Sequence, residues 1–174
     1  MKRFYRFSPT RYGKRPTYRE GVFAGLVGGI AELAWIELYC AAAGSNASAV
    51  ARAVVDTVLP NGGNSTIGVP LGITVHLILA VGIGIGLAGV CRWPSGTFVT
   101  PVVILSRALA LLALVWVVNF VVILPHLNPA FLTVVRPGVA LLSKLMFALS
   151  AAAVLTRAAR FPIRDRGECE EVMS

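Results

Sequence analysis

The stretch AELAWIELYC, residues 31–40, sets two carboxylates into a run that otherwise reads as a membrane-spanning helix. Glu32 and Glu37 have apolar neighbours on both sides, and no basic residue lies close in sequence. The apolar block around them runs from 21 to 43. At about 1.5 Å per residue, such a block crosses a hydrocarbon core about 30 Å thick. Three further blocks of this kind lie at 69–91, 99–124 and 138–160. Their apolar residues are continuous rather than confined to one stripe, unlike the surface helix of a soluble domain. The fold predicted is all-α: a polytopic membrane protein whose four transmembrane helices form one bundle.

Composition agrees. Of the 174 residues, 56% are hydrophobic and 14% charged, with a mean hydropathy of +0.76. A water-soluble domain needs more polar surface than this. A net charge of +8 raises nucleic acid as a partner, but the placement of the cations argues against it. Lys2, Arg3, Arg6, Arg11, Lys14, Arg15 and Arg19 precede the first block, and Arg157, Arg160, Arg164 and Arg166 close the last. The segment 44–68 carries only Arg52, the turn 92–98 only Arg92, and 125–137 only Arg136. Excess Lys and Arg mark the cytoplasmic side of membrane spans. Both termini are therefore expected in the cytoplasm, with basic tails that contact anionic lipid and no nucleic-acid partner. The domain plan is a basic segment 1–20, a transmembrane domain 21–160 and a tail 161–174.

Ala41 and Ala43 have the spacing of a signal-peptidase site, but the block before them is too long and holds two carboxylates. It is expected to remain as the first span. Cys40, Cys91 and Cys169 fall at different depths, so no disulfide or metal site is expected from them. Gly21, Gly25 and Gly29 recur at steps of four in the first span, and Gly82 and Gly86 do so in the second. In lipid, small residues of this kind let helices approach closely. Gly84-Ile-Gly86-Leu-Ala-Gly89 matches the dinucleotide fingerprint, but no strand precedes it and no helix opens after it. The match carries no cofactor. In the first external loop, ASAVARAVVDTVLP (47–60) predicts a short amphipathic helix. Val50, Val54, Val58 and Leu59 share one side of it, and Arg52 and Asp56 stand one turn apart on another. Pro125, Pro129 and Pro137 predict a short, stiff external turn before the last span.

Depth then sorts the polar residues inside the spans. Glu37, His76, Asn119 and Lys144 each lie five to seven residues from the outer end of their own span. Glu32 and Arg107 form a second, deeper set. An unpaired charge at mid-bilayer costs at least about 2.5–3.5 kcal/mol. Pairing Glu37 with Lys144, and Glu32 with Arg107, removes much of that penalty. Glu32 and Glu37 are about 140° apart around an ideal helix, so they do not form a paired-carboxylate site. The six residues are expected to make an intramembrane polar network. Among the spans there is no H-E-x-x-H, no G-x-S-x-G and no broken helix at mid-membrane. No catalytic residue, metal or cofactor is expected.

The order of features resembles the small four-span bacterial inner-membrane proteins of the YagU-like type. The likeness rests on GVFAGLVGGIAELAW (21–35), VHLILAVGIGIGLA (75–88) and VVNFVVILPHLNPAF (117–131), with basic ends on both sides. The resemblance implies a location in the bacterial inner membrane and no defined activity. His76 matches the family's histidine in the second span, and Ser143-Lys144 stands near where another histidine is expected in the fourth. The expected function is a non-enzymatic accessory or assembly subunit of a larger membrane complex. The alternative is a small oligomeric transporter or proton-coupled permease, and the third reading is a haem- or quinone-binding membrane subunit.

Overall fold

The structure is a computed structural model that describes residues 15–93 and 100–160. Most of the two basic tails, Cys169 and residues 94–99 lie outside the described residues. Helix α1 spans Tyr18–Ala43 and opens on a capping box. The Glu20 N–H donates to Thr17 Oγ1 at 3.3 Å, and the Thr17 N–H donates to Glu20 Oε2 at 2.7 Å. These bonds satisfy donors that a helix start leaves free. Gly44 ends α1 in the left-handed region, at φ +63°, which a residue without a Cβ adopts at little cost.

Helix α2 (Ala47–Val58) follows at once, capped by the Asn46 side chain. A short 3₁₀ turn at Gly62–Asn64 leads into α3 (Gly68–Arg92). Helix α4 (Pro101–Val117) begins with Thr100 as cap and Pro101 in the first turn. It runs without a break through a π-helical turn, Val118–Ile123, into α5 (Leu124–Leu127). The short α6 (Phe131–Val134) and the long α7 (Pro137–Arg160) complete the chain. Among the described residues there is no strand. Four helical stretches are long and apolar enough to cross a membrane: Tyr18–Ala43, Gly68–Arg92, Pro101–Leu127 and Pro137–Ala159. They lie within a few residues of the four expected blocks.

The packing order is antiparallel at each seam. A Cβ built on Gly21 would meet Gly84 O at 2.8 Å, one on Gly25 would meet Val81 Cα at 2.8 Å, and one on Gly29 would meet the Ala80 Cβ at 2.7 Å. Rising numbers in α1 therefore meet falling numbers in α3. Gly21, Gly25 and Gly29 line this contact, whereas Gly82 and Gly86, expected to pack a helix as well, do not. Both have open space around them, and Gly84 is the glycine pressed against Gly21 and Gly25. Two residues turn a helix by about 200°, so a seam at Gly84 sends its neighbours outward.

The fully buried core lies at the end of the bundle nearest the termini. Leu87, Ile104, Ala108, Phe147, Ala151 and Leu155 are all within it. Gly28 lets the Phe147 ring lie directly on α1. Around this core the outer faces are apolar, with Phe23, Ile30, Ile78 and Val102 exposed, as suits a surface meeting lipid tails.

Candidate functional site

Register between α1 and α7 decides which polar residues meet. Gly28 faces Phe147, Glu32 faces Ser143, and the Trp35 Nε1–H donates to the Val139 carbonyl at 3.3 Å. In that register Glu37 stands near Gly138, more than a turn beyond Lys144. Lys144 accordingly pairs with Glu32, its Nζ 2.6 Å from Glu32 Oε1. This corrects the expected Glu37–Lys144 pair. Glu37 is exposed and finds no hydrogen-bond or ion partner among the described residues.

The expected Glu32–Arg107 pair is also absent. The Arg107 Nη1 donates to the carbonyls of Val90 and Cys91, both at 3.1 Å. These are among the last carbonyls of α3, which have no partner within the helix and carry the negative end of its dipole. Arg107 is a helix cap at the opposite end of the bundle from Glu37.

The cluster that does form is Glu32, Lys144, Ser143 and His76. Ser143 Oγ lies 3.0 Å from Glu32 Oε1 and 2.8 Å from the Ala140 carbonyl. Sequence reading missed Ser143, because a hydroxyl in an apolar span usually bonds its own helix backbone and gives no signal of a second partner. His76 Nε2 lies 3.3 Å from the Gly29 carbonyl and 3.8 Å from Glu32 Oε2. A carbonyl only accepts, so Nε2 carries the proton. Side-chain exposure is 4% for Glu32, 16% for Lys144 and 22% for His76. The carboxylate is sealed behind the ammonium and the imidazole.

Those two groups look into a cavity of about 330 Å³. Its walls are mainly apolar: Leu33 and Ile36 of α1, Ile73, Leu79 and Ile83 of α3, Phe120 and Ile123 of the π turn. Glu32, His76, Ser143 and Lys144 make its polar side, with Asn119 on the wall and Glu37 also lining it. Asn119 has no side-chain hydrogen-bond partner among the described residues. Helix α2 lies over the cavity, contributing Val50, Ala51, Val54 and Val58, and α6 adds Phe131.

The amphipathic helix expected in this loop is therefore a lid on the bundle. Gly72 allows it to lie close, since a Cβ there would collide with the Ala51 carbonyl. Arg52 and Asp56 do not pair with each other. The Arg52 Nη1 donates to the Gly63 carbonyl at 2.6 Å, and Asp56 Oδ1 accepts from the Gly63 N–H at 2.8 Å. Together they fold the 59–65 loop back onto α2. From the other side, Asn128 Nδ2 donates to Ala53 O and Thr57 Oγ1, both at 3.1 Å.

The π turn places Asn119 and Phe120 on the cavity wall. Its cause is local. Pro125 has no N–H and its ring crowds the carbonyl four residues back, so the helix widens before it. The Leu124 N–H donates to the Asn119 carbonyl, five residues away. Such turns recur at functional sites, and this one widens a span that stays helical from Pro101 to Leu127. Phe120 stacks on Trp116 with centroids 5.6 Å apart and meets Phe131 edge-on at 6.3 Å.

Among the described residues, no group of three or more His, Cys, Asp or Glu could hold a metal ion. Fold and site together define a multi-pass all-α membrane protein with a lidded cavity between its spans. No protein-family model, curated protein or solved structure matches the chain.

Proposed function

We propose that this protein binds a small, membrane-soluble molecule in the cavity under α2, as the substrate site of a small transporter or permease. The observation that carries this reading is the pairing of an apolar wall with polar groups whose hydrogen-bonding capacity the protein uses only in part. Lys144 spends one of its three protons on Glu32, and Asn119 spends none of its own. Inside a membrane such groups need a partner, and a cavity of this size and lining suits a small ligand. The charge distribution supports an orientation with both termini in the cytoplasm and basic tails on anionic lipid, and the resemblance to YagU-like proteins implies a bacterial inner membrane. Helix α2 then roofs the cavity on the external side.

Native mass spectrometry of the full chain, released gently from its membrane, tests the reading. A bound small molecule is expected, and Val54→Trp should expel it by filling the cavity. Protein that carries no adduct and takes up none from a lipid extract would overturn it.

A second reading, the accessory subunit, is favoured by a different face. Gly82 and Gly86 are exposed and have open space where a Cβ would stand. Among the described residues no helix packs on them, so they leave a face open to a partner chain. A stoichiometric membrane partner in the same eluate supports that reading, and its loss in Gly86→Leu places the contact.

A further inference from the structure

We infer that the cavity takes a neutral molecule with a flat apolar body and a hydrogen-bond-accepting carbonyl head, of the quinone kind, with its head on Lys144 and Asn119. This rests on the reading of the cavity as a ligand site and adds the class of ligand.

Charge makes the selection. The Lys144 ammonium sits 2.6 Å from Glu32 and is more exposed than that carboxylate. A molecule in the cavity therefore meets the ammonium first. An anionic head would compete with Glu32 for a single cation and would share the cavity with Glu37 as well. A cationic head would be set against Lys144. Either would leave a net charge in a medium that solvates it poorly. A carbonyl oxygen accepts a proton from Lys144 or from the Asn119 amide and leaves the ion pair neutral.

Shape agrees with charge. About 330 Å³ lies at the lower end of the range for small-ligand pockets, roughly 300–1,000 Å³. That volume suits one ring with a few carbons of tail. Phe120 offers an aromatic face on the wall, already braced by Trp116 and Phe131. A flat ring stacks there in the offset or edge-on arrangements that aromatic pairs favour. His76 also lines the cavity, with Nε2–H committed to Gly29.

The test uses the full chain in nanodiscs, titrated with a decyl-tailed benzoquinone against protein-free discs. Quenching of Trp35 and Trp116 reports binding. Decane, decanoate and decyltrimethylammonium are offered as competitors carrying no head, an anionic head and a cationic head. Saturable quinone binding is expected, with each competitor weaker by about tenfold or more, the scale of one charge-assisted hydrogen bond. Asn119→Leu, and separately Lys144→Met combined with Glu32→Gln, should each weaken the quinone by about tenfold. The double change leaves no buried unpaired charge, so the fold is kept. Val54→Trp should abolish binding of every probe.

If decanoate or the ammonium probe binds as well as the quinone and Val54→Trp still expels it, the cavity is a site and the carbonyl class is wrong. Equal binding of decane, or quinone binding untouched by both head-group variants, also overturns the class. No binding by any probe, or binding indifferent to Val54→Trp, overturns the cavity reading itself.

Discussion

The same four spans hold together in two different ways along their length. Toward the termini, Gly21 and Gly25 press on Gly84, Phe147 lies on Gly28, and Leu87, Ile104 and Leu155 fill what remains. Contact there is backbone on backbone and leaves no room. Toward α2, the helices separate around a cavity, a buried ion pair crosses from α1 to α7, and a lid is tied on by side-chain hydrogen bonds. Dispersion is the main attraction available between helices in lipid, and it favours the first arrangement. The second is retained at a cost in contact, which is the usual signature of a site rather than a scaffold.

Lys144→Met should have the largest effect, because it strands Glu32 without its cation. A loss of about 3–5 kcal/mol is expected in unfolding by sodium dodecyl sulfate from mixed micelles. Adding Glu32→Gln should restore most of it. Wild-type stability in the single variant would show that the pair does not hold the open half together.

Gly84→Val comes next, at about 3 kcal/mol, since its Cβ would meet backbone atoms of Gly25 at 2.5 Å. Gly82→Val, two residues away on the outward face, should change stability by less than about 0.5 kcal/mol. An equal cost at both positions would break the distinction between seam and surface, or reveal a second chain seated on Gly82.

Asn128→Ala should cost about 1 kcal/mol and act locally. Amide exchange is expected to quicken across Ala47–Val58 while the Gly21–Gly84 seam stays protected. Faster exchange throughout would mean that α2 is part of the scaffold. Glu37→Gln should be the mildest change, below about 0.5 kcal/mol. An effect matching that of Lys144→Met would restore the pairing read from sequence.

That last contrast shows how far the sequence was legible. Hydropathy and length place the four spans, since a hydrocarbon core admits few alternatives. Depth along a span sets Glu37, His76, Asn119 and Lys144 in one layer and Glu32 with Arg107 in a deeper one. Depth is only one coordinate, however, and partners also depend on rotation and on the register between helices. Register moved Lys144 from Glu37 to Glu32, and rotation moved the seam from Gly82 and Gly86 to Gly84. Arg107 was read as a charge needing a carboxylate, yet helix-end carbonyls satisfied it. Carbonyl acceptors are invisible in sequence because every residue has one. The π turn had a sequence sign in Pro125, but Pro alone does not say whether a helix will kink, widen or stop.

A π turn is one residue of slack in an otherwise fixed screw. Each α-helical residue advances the rotation by about 100°, so absorbing one surplus residue at Val118–Ile123 lets the two ends of that span keep independent phases. Below it, Ile104, Ala108 and Leu112 are locked to the core, and above it Leu124 is buried beside the lid. Removing any single residue from 118–123 would tighten the screw and swing one end relative to the other. The phase of the cavity wall can therefore drift over evolution without disturbing the core on which the bundle stands.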